Sequence, residues 1–462
     1  APRPDVTTLN GNRVFYSHVD GDGFLSVSRA DRRSLCGEIL CDTVFRRYAA
    51  LPITVSVIGA EVDPAVAGTE RSIACARRIF ALPNIEPASH TYSHPLIWDR
   101  RLLSRLAPVT EYTLDIDTRA LARQGAVLAF RIANYTYSPE RETVEAVARL
   151  ARLLPPGKIA RLLLWSGNCL PNEQTVAVCD EAGIRNLNGG DPVFDDAHPS
   201  YCHLAPLARR VGRHLQVLTS ASNENLYTNL WTGPFGGFRN VIRTFERTEN
   251  PRRVSPVNVY YHHYAAEMAP ASLDALHYVY EWVSARRFFP VHASRYVDMV
   301  KGFYGCEFAA LGAGAWRITG NGACRTIRFD AESRYPRLAA CRGVLGFEFR
   351  QGSLYVFLDE SPEHVVVLGE SPPVEPYLAQ ATADVLALQR TDGGGWRFRS
   401  QSLAEAEYTW RNLAPQTFHE VTVRSAARVE RRTVTSDAHG TCRFRLPLFG
   451  PAEVSLVPTR SP

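Results

Sequence analysis

From residue 13 to about residue 300, short apolar runs alternate with segments whose apolar residues recur at helical spacing. The runs RVFYSHV, LPITVSVIG, ARLLLWSG, LQVLTS and PVNVYYHHY predict strands, whereas NEQTVAVCDEAGI and SLDALHYVYEWVSA predict helices. Strands that alternate with helices in this way are typical of βα units around a parallel sheet. This alternation is the strongest constraint on the fold, and it predicts an α/β architecture.

The pattern changes at about Cys306, where helical spacing gives way to alternating residues broken by turns, as in AWRITGNGACRTIRFD and GVLGFEFRQGSLYVFLDE. Many short strands with frequent turns are typical of an all-β sandwich. We therefore predict two domains, an α/β domain over residues 1–305 and a β-sandwich accessory domain over residues 306–462.

Composition excludes several classes of protein. With 45% hydrophobic and 10% aromatic residues among 462, the chain can bury sizeable cores and is not disordered. Its net charge is only +5 and its arginines are scattered, which argues against a nucleic-acid-binding surface. The ten cysteines include no CxxC pair of the kind that structural zinc sites use, although an even count leaves disulfides open. No apolar run is long enough to predict a membrane span.

The segment HVDGDGF places Asp20 and Asp22 where the first apolar run ends. An EF-hand calcium loop is excluded, because Phe24 and Leu25 occupy positions that such a loop fills with an oxygen ligand and a glycine. Two interpretations remain. The pair is either a solvated turn, since Asp and Gly are common turn residues, or a pair of functional carboxylates with partners elsewhere in the chain.

Histidines can supply those partners. In ASHTYSHP, His90 and His94 are four residues apart, so one helical turn would direct both imidazoles toward a shared metal ion. In VNVYYHHYAAE, His262 and His263 end a predicted strand. Because the C-terminal ends of barrel strands meet at one mouth, these segments can meet the two aspartates there. Two histidines and one carboxylate would form a catalytic metal site, and the second carboxylate would remain available as a base.

The order of DxD, HxxxH and a late strand that bears histidine resembles the metal-dependent polysaccharide deacetylases of carbohydrate esterase family four. The strings SHTYSHP, LLLWSGNCLPNE, NLNGGD, NENLYTNLW and NVYYHHY extend the resemblance over roughly residues 13–304. The resemblance implies a distorted (β/α) barrel of about seven strands. It also implies an enzyme that removes N-acetyl groups from an amino-sugar polysaccharide.

Carried over residue by residue, the resemblance assigns the metal to Asp22, His90 and His94. It assigns the role of general base to Asp20 and that of general acid to His262. His263, the second histidine of YYHHY, falls at the variable position of the family's YYHxY pattern.

The chain departs from the family at one motif. Where better-known members read RPPY, with an arginine that holds the catalytic aspartate, this chain reads LWSGNCLP. Another group must then orient Asp20, and Asp191 of NGGD is the candidate for that supporting role. The same region, at residues 166–168, is expected to supply a backbone N–H that binds negative charge on the reacting oxygen.

The resemblance also implies cofactor, substrate and location. The cofactor would be a divalent metal, zinc before others. The substrate would be an acetylated exopolysaccharide built of N-acetylgalactosamine or N-acetylglucosamine, processed during maturation of a biofilm polymer. The location would be periplasmic or secreted, and a protein of the export complex would be a partner.

A separate segment, SNENLYTNLWTGPFGGF, is rich in amides and aromatics, which predict a sugar-binding groove, although a structured loop would use the same side chains. The groove residues predicted from it, with one tyrosine of the late strand, are Asn223, Glu224, Asn225, Trp231 and Tyr261. His18 lies two residues before Asp20 on the same strand face, and we expect a hydrogen-bonded core histidine rather than a ligand.

Two other functions stay open. The Asp20/Asp22 pair could provide the acid and base of a glycoside hydrolase, which needs two carboxyl groups ~5 to 9.5 Å apart and no metal. The chain could also be a catalytically inactive carbohydrate-binding protein with a vestigial metal site. Two histidines at metal-ligand spacing favour the metal-dependent enzyme over both.

Overall fold

The computed structural model describes residues 1–99, 127–128, 132–268, 270–426 and 428–459. The strands that precede residue 300 are β1 (Pro2–Pro4), β2 (Thr8–Leu9), β3 (Asn12–Asp20), β4 (Ile53–Val57), β5 (Ile85–Ser89), β6 (Pro95–Ile97), β7 (Val127–Leu128), β8 (Leu162–Leu164), β9 (Arg185–Leu187), β10 (Ala208–Val211), β11 (His214–Val217), β12 (Val257–His262) and β13 (Phe289–Pro290). One sheet runs in the order β10-β11-β9-β8-β5-β4-β3-β12, with β2 and β13 added beside β3. From β11 to β12 the neighbouring strands are parallel, and β10 pairs antiparallel at the far edge.

Helices lie between these strands in the sequence, as βα units require. They are α1 (Cys36–Leu40), α2 (Glu70–Phe80), α3 (Pro139–Glu142), α4 (Val144–Arg149), α5 (Glu173–Glu181), α6 (Glu224–Tyr227), α7 (Val241–Arg247), α8 (Ala271–Ser284) and α9 (Ala293–Gly305). The two helices predicted from apolar spacing are α5 and α8. α5 begins after Asn172, whose side chain accepts a hydrogen bond from the Thr175 N–H and so satisfies a free donor of the first turn.

The register of β3 and β12 decides which side chains reach the interior of the curled sheet. The strands pair in parallel, with Tyr260 opposite His18 and His262 opposite Asp20. Because successive side chains point to opposite faces, these four share one face. Tyr261, which lies between Tyr260 and His262 on β12, points to the opposite face and packs in the apolar layer that includes α8.

Apolar packing fills the interior of the sheet beneath those polar residues. Helix α9 packs against the inner face, and the ring of Tyr16 stacks on Tyr296 of α9 with the ring centroids 4.3 Å apart. Leu162, Leu164 and Leu187 belong to the same buried cluster. The interior is therefore an apolar core that ends in a polar layer at the C-terminal ends of the strands.

The second part of the chain is built of strands. They are β14 (Glu307–Gly312), β15 (Ala315–Thr319), β16 (Thr326–Asp330), β17 (Tyr335–Pro336), β18 (Val344–Arg350), β19 (Ser353–Leu358), β20 (Glu363–Gly369), β21 (Tyr377–Ala381), β22 (Leu386–Arg390), β23 (Trp396–Ser402), β24 (Glu405–Arg411), β25 (Phe418–Arg424), β26 (Val429–Thr435), β27 (Cys442–Pro447) and β28 (Gly450–Thr459). Their sheets have the orders β1-β16-β19-β18, β14-β15-β20-β17, β21-β24-β27 and β22-β23-β28-β25-β26.

The predicted fold class is confirmed. A curled, half-barrel sheet with helices between its strands is followed by separate all-β sheets. The domain limits stay a prediction. Helix α9 ends at Gly305 and β14 begins at Glu307, but β1, at the start of the chain, pairs with β16 of the second part.

Hydrogen bonds join the two parts directly. Asn12 Nδ2 donates to the carbonyl oxygen of Ala381 at 2.8 Å, and the guanidinium of Arg295 donates to both carboxylate oxygens of Asp384 at 2.5 and 2.6 Å. Bidentate pairs of this kind hold two surfaces in one orientation. The β-rich part therefore lies against the end of the barrel opposite to the polar layer, where α9 begins.

No helix in the part of the chain that the structure describes is long and apolar enough to cross a membrane. The ten cysteines, all of which are described, are free thiols. The disulfides that the even count left open are therefore not formed in this structure.

Candidate metal centre and surrounding pocket

A polar cavity of about 140 Å³ lies at the C-terminal ends of β3, β5 and β12. Its lining residues are Asp20, Asp22, His90, His94, Trp165, Gly167, Asn168, Cys169, Gly189, Asp191, Asn223, Tyr260 and His262. The cavity thus brings together the predicted metal ligands with the predicted acid and base. Convergence of the strand ends, which prompted the prediction, accounts for this gathering.

Asp22, His90 and His94 point at one another. Nε2 of His90 lies 2.9 Å from Oδ2 of Asp22, and Nε2 of His94 lies 2.9 Å from Oδ1 of the same carboxylate. The three residues are buried, and one ligand atom from each lies within 4.8 Å of the others. The group could therefore hold a metal ion.

The two histidines do not share a helical turn, so that expectation is wrong. β5 ends at Ser89, and residues 90–94 form an irregular loop in which Thr91 and His94 have positive φ values of 67° and 56°. Thr91 Oγ1 accepts a hydrogen bond from the His94 N–H at 3.1 Å. This reversal of the chain, rather than a helix, brings the rings of His90 and His94 to 5.0 Å between centroids.

The surroundings of these three side chains fit a cation. Burial alone would raise the pKa of Asp22, but His94 and His90 outweigh burial and hold that pKa well below its usual range. His90 is 1% exposed, yet neither of its ring nitrogens makes a well-formed hydrogen bond with the described residues. An ionised carboxylate beside two buried imidazoles is the donor set of a catalytic zinc site.

Asp20 is held by an amide and a phenol rather than by an arginine. Asn188 Nδ2 donates to both of its carboxylate oxygens at 3.0 and 2.9 Å, and Tyr260 Oη donates to Oδ2 at 2.7 Å. These contacts replace the arginine that is missing from the sequence. Asp191 lies close enough to interact electrostatically with Asp20, but the side-chain hydrogen bonds to Asp20 in the described structure come from Asn188 and Tyr260.

A chain of hydrogen bonds continues behind Asn188. Asn258 Nδ2 lies 3.1 Å from His18 Nδ1, and His18 Nε2 lies 3.1 Å from Asn188 Oδ1. An amide nitrogen only donates, so Nδ1 of His18 is the acceptor of the bond from Asn258. Nε2 of His18 therefore carries the hydrogen and donates a hydrogen bond to Asn188 Oδ1. Burial lowers the pKa of His18 to about 4, which agrees with this neutral ring. His18 is therefore a buried, hydrogen-bonded histidine that fixes the orientation of the Asn188 amide.

Glu224 holds His262 by hydrogen bonds and raises its pKa. Its Oε1 accepts the backbone N–H of His262 at 3.0 Å and lies 3.1 Å from Nδ1. The other ring nitrogen, Nε2, lies 3.6 Å from Oδ2 of Asp20 and 4.0 Å from Oδ2 of Asp22. Burial alone would lower the pKa of His262, but Glu224 and the two aspartates raise it to about 10. The imidazole is therefore protonated at neutral pH, with one N–H directed at the aspartates.

Three of the predicted groove residues lie in or beside the pocket. Asn223 lines the cavity. Trp231 packs edge-on against Tyr264 at 5.5 Å between ring centroids, and the ring of Tyr264 stacks on His262 at 4.7 Å. Asn225 Nδ2 donates to the Tyr264 hydroxyl at 2.7 Å. These side chains form a rim of amides and aromatic rings next to His262.

Two other predicted groove residues are buried beneath that rim. Tyr261 is 0% exposed and its hydroxyl lies 3.1 Å from that of Tyr280 in the apolar layer, so the prediction that it binds substrate is corrected. Successive strand side chains face opposite sides, and Tyr260 is the strand tyrosine that lines the pocket. Glu224 is 1% exposed and contacts His262 rather than the outer surface.

The turn at 166–168 follows β8 and lines the pocket. The N–H of Asn168 donates to Leu96 and the N–H of Cys169 donates to Ser166, so both are already used. The N–H of Gly167 has no acceptor among the described residues. A Cβ at this glycine, whose φ is +57°, would lie 2.4 Å from the backbone of Leu96, so a side chain does not fit. Ser166 likewise has no backbone acceptor for its N–H among the described residues, so the donors that stay free in this turn are the N–H groups of Ser166 and Gly167.

Asn188, Tyr260 and Glu142 support the pocket and were not predicted. The first two carried a usable signal, because Asn188 lies within NLNGGD directly after β9 and Tyr260 shares a strand face with His262. Glu142 belongs to no motif. Its contacts with the 90–94 loop join segments about fifty residues apart, and no spacing rule connects them.

No family model matches this chain, and no curated protein matches it. Solved structures that match over nearly the full length include a glycoside hydrolase family 30 subfamily 8 xylanase from Clostridium acetobutylicum, with 11% identity, a TM-score of 0.29, and coverage of 98% of this chain and 97% of that one. A 4-alpha-glucanotransferase from Thermococcus litoralis has 8% identity, a TM-score of 0.33, and coverage of 96% and 99%. An isomalto-dextranase of Arthrobacter globiformis, complexed with panose, has 11% identity, a TM-score of 0.29, and coverage of 100% and 96%.

These findings correct the predicted family. The structures named above are a xylanase, a glucanotransferase and a dextranase, not deacetylases, and no family model or curated relative supports the resemblance. The assignment to the polysaccharide deacetylases of carbohydrate esterase family four is therefore withdrawn, together with the amide-hydrolysing N-deacetylase activity and the biofilm role that it implied. Identities and TM-scores of this size bring no activity or substrate to this chain.

Proposed function

We propose that this chain is a metal-dependent hydrolase of a carbohydrate polymer. The observation that carries the proposal is the convergence of Asp22, His90 and His94 on one point, with Asp20 beside them in a single cavity. Three protein ligands leave coordination positions open for water and substrate, which is typical of catalytic rather than structural zinc. Two imidazoles and one carboxylate suit zinc, and they also suit other first-row divalent ions such as iron(II). When bound, such an ion lowers the pKa of water to near ~7 and polarises a substrate oxygen.

Asp20 would act as the general base. It lies in the same cavity as the three ligands, and Asn188 and Tyr260 fix its carboxylate by hydrogen bonds. Both of these groups donate, so the remaining lone pairs of Asp20 face the cavity as proton acceptors. Neither Asn188 nor Tyr260 carries a positive charge, which would make Asp20 a weaker acceptor for the proton of an attacking water. These contacts support a role in removing that proton.

His262 would act as the general acid. Glu224 holds its Nδ1 side, so the Nε2–H faces the aspartates and the cavity. Its pKa is raised to about 10, chiefly because Glu224 opposes the effect of burial, and the ring is therefore charged at neutral pH. A divalent cation bound nearby would lower this pKa by like-charge repulsion and bring it closer to the working pH. A charged imidazole is suited to protonate a departing alkoxide.

The rim supports a carbohydrate as the substrate. Asn223, Trp231 and Tyr264 combine an amide with two aromatic rings beside His262. Aromatic faces and amides are the groups that commonly contact the apolar faces and hydroxyls of sugar rings. The Gly167 N–H is available to a substrate oxygen on the opposite side of the pocket.

The experiment measures turnover of a panel of polysaccharides by the chain before chelation, after chelation, and after return of Zn²⁺. New reducing ends and mass changes of the repeating unit are followed together, so that the bond cleaved is identified by its product. We expect turnover of at least one polymer to disappear on chelation and to return with Zn²⁺. Asp22→Asn should be inactive under all three conditions. Full turnover after exhaustive chelation would sink the proposal.

A second candidate is a metal-independent glycoside hydrolase that uses Asp20 and Asp22. The observation in its favour is that ligand atoms of Asp20, Asp22 and His262 lie within 4.8 Å of one another in one cavity. Retaining glycosidases likewise hold two carboxyl groups near each other, ~5 to 5.5 Å apart. It predicts new reducing ends that persist after chelation and are lost in both Asp20→Asn and Asp22→Asn.

A further inference from the structure

The 90–94 loop, which carries two of the proposed metal ligands, is anchored to a buried carboxylate about fifty residues away in the sequence. Glu142 is 0% exposed and ends α3. Its Oε2 accepts the backbone N–H groups of Tyr92 and Ser93 at 3.0 and 2.9 Å. Its Oε1 accepts hydrogen bonds from the Ser93 hydroxyl and, at 2.5 Å, from the Tyr135 hydroxyl.

Four donors therefore meet the two oxygens of Glu142. Only an ionised carboxylate accepts at every one of these positions, because a protonated acid or an amide would turn a donor toward another donor. Burial raises the pKa of Glu142, and the four donors oppose that shift. The arrangement is thus specific for a carboxylate, and a glutamine of the same size would satisfy only part of it.

The anchored residues are the two that separate the ligands. Tyr92 and Ser93 lie between His90 and His94, and the backbone on either side of them adopts positive φ at Thr91 and His94. Non-glycine residues in this region are strained and persist only where surrounding contacts hold them. The bonds from Glu142 to two successive N–H groups are contacts of that kind.

We infer that Glu142 is a positioning residue for the metal centre, which fixes the 90–94 loop in the conformation that turns both histidines toward Asp22. The inference rests on the proposed function in one respect, namely that a metal binds at Asp22, His90 and His94. It adds a residue that touches neither ion nor substrate and acts through the backbone between two ligands.

The test measures the affinity of the metal-free chain for Zn²⁺ by competition with a chromophoric chelator, and its thermal stability without metal. Glu142→Gln should weaken Zn²⁺ binding ~10- to 100-fold, the usual effect of losing a residue that orients a ligand. With Co²⁺ as the probe, its visible absorption should change in shape, because the geometry around the ion changes. A residue that only stabilised the fold would leave that spectrum unchanged.

Glu86→Gln is the matched control. Glu86 lies on β5, the strand that leads into the 90–94 loop, but at the opposite end. Its carboxylate accepts hydrogen bonds from the Thr54 hydroxyl at 2.7 Å and from the N–H of Ser294 at 3.2 Å, so it is also an anchor made of hydroxyl and backbone donors. We expect this variant to lose thermal stability while keeping the wild-type Zn²⁺ affinity and Co²⁺ spectrum.

Tyr135→Phe provides a milder variant in case Glu142→Gln does not fold. It removes one of the four donors but keeps the ring that packs against Tyr92 of the loop at 5.5 Å between centroids. We expect a Zn²⁺ affinity weaker than that of the wild type by a factor of ~2 to 10. Wild-type affinity for Zn²⁺ in both Glu142→Gln and Tyr135→Phe would overturn this inference and leave the proposed function standing. Equal weakening of Zn²⁺ binding in Glu142→Gln and Glu86→Gln would also overturn the inference, since the loss of affinity would then result from a general loss of stability. Failure of the wild-type chain to bind Zn²⁺ would overturn the proposed function and this inference together.

Discussion

Asn188 Nδ2 donates hydrogen bonds to both carboxylate oxygens of Asp20, at 3.0 and 2.9 Å. The amide is itself oriented, because its Oδ1 accepts from the neutral ring of His18. A neutral amide holds the carboxylate in place without the positive charge of an arginine. The orientation of Asp20 thus depends on a chain of uncharged groups that reaches back to Asn258.

Replacement of Asn188 by leucine should separate orientation from metal binding. Leucine has nearly the same size but donates no hydrogen bond, so Asp20 loses both bonds from Asn188 and keeps the hydrogen bond from Tyr260. We expect turnover to fall ~10- to 100-fold while the chain still binds one equivalent of Zn²⁺. Asn84→Leu is the control, because Asn84 is also buried and donates from Nδ2 to two oxygens, those of Phe45 and Leu51, far from the pocket. Equal losses of turnover in both variants would assign the effect to stability.

The two aspartates of the DxD pair should differ when each is changed to asparagine. Asp22 lies 2.9 Å from both proposed histidine ligands, so Asp22→Asn should lose metal and turnover together. Asp20→Asn should keep the metal and lose turnover by ~10² to 10⁴, the usual contribution of a general base. Elemental analysis beside turnover on the polymer found by the polysaccharide panel distinguishes the two. If both variants lose metal equally, Asp20 is a ligand and the base lies elsewhere.

Neutralisation of Glu224 should lower the pKa of His262. That pKa is raised to about 10 because Glu224, more than the two aspartates, offsets the effect of burial. Glu224→Gln keeps an acceptor for Nδ1–H but removes the charge, so His262 should lose its proton at a pH lower by ~1 to 3 units. NMR titration of the histidine ring protons in the metal-free chain measures this shift. Glu86→Gln, which has no contact with His262, should leave that titration unchanged, and an unchanged titration in Glu224→Gln would remove Glu224 from this role.

Acid should destabilise the metal-free chain partly through His263. This ring is buried, its Nε2 lies 3.2 Å from the carbonyl oxygen of Ser56, and burial lowers its pKa to about 4. The unfolded chain has a histidine pKa of ~6.5 and so binds a proton more readily between pH 6.5 and 4. The contribution of the neutral ring to stability is complete above pH ~6.5 and decreases by about 3 kcal/mol as the pH falls to 4.

His263→Gln tests this dependence, since glutamine can still donate to the Ser56 carbonyl but does not titrate. The free energy of unfolding is measured by urea denaturation at several pH values from 7 to 4. We expect the difference between wild type and variant to shrink toward low pH, because His18 and the other histidines titrate in both proteins and cancel. Parallel curves over the whole range would show that His263 is not the group responsible.

Hydrophobic periodicity predicts β3, β4, β8, β11 and β12, because a parallel sheet buried on both faces favours continuous apolar runs. It misses the neighbouring strands β5 and β9, whose sequences IEPAS and RNL are not apolar runs. It also placed the DxD pair and the histidines near one another, since parallel strands end at the same side of a sheet. The same burial concealed which strand residues face the pocket. Every residue of β12 is buried, so hydrophobicity does not distinguish Tyr260 from Tyr261, and only the alternation of side chains along the strand from His262 does.

The 90–94 loop illustrates a second limit. Spacing of four residues suits a helical turn, yet two positive φ values and an anchor from Glu142 bring the same imidazoles together in another way. The spacing is compatible with both, and the deciding contact comes from a distant segment. The family assignment failed for a related reason, because short strings that share residue types at a pocket do not define the chain around it.

The pairing of β3 with β12 makes the length of these strands as critical as their residues. Asp20 reaches the pocket beside Tyr260 and His262 only because the two strands are in this register. An insertion or deletion of one residue inside either strand would exchange the faces of everything beyond it and turn His262 toward the helices. Among natural variants of this protein, gaps should therefore fall outside the two strands. Evolution can change the length of the pocket loops one residue at a time, whereas the lengths of these two strands are fixed by the faces that their side chains must keep.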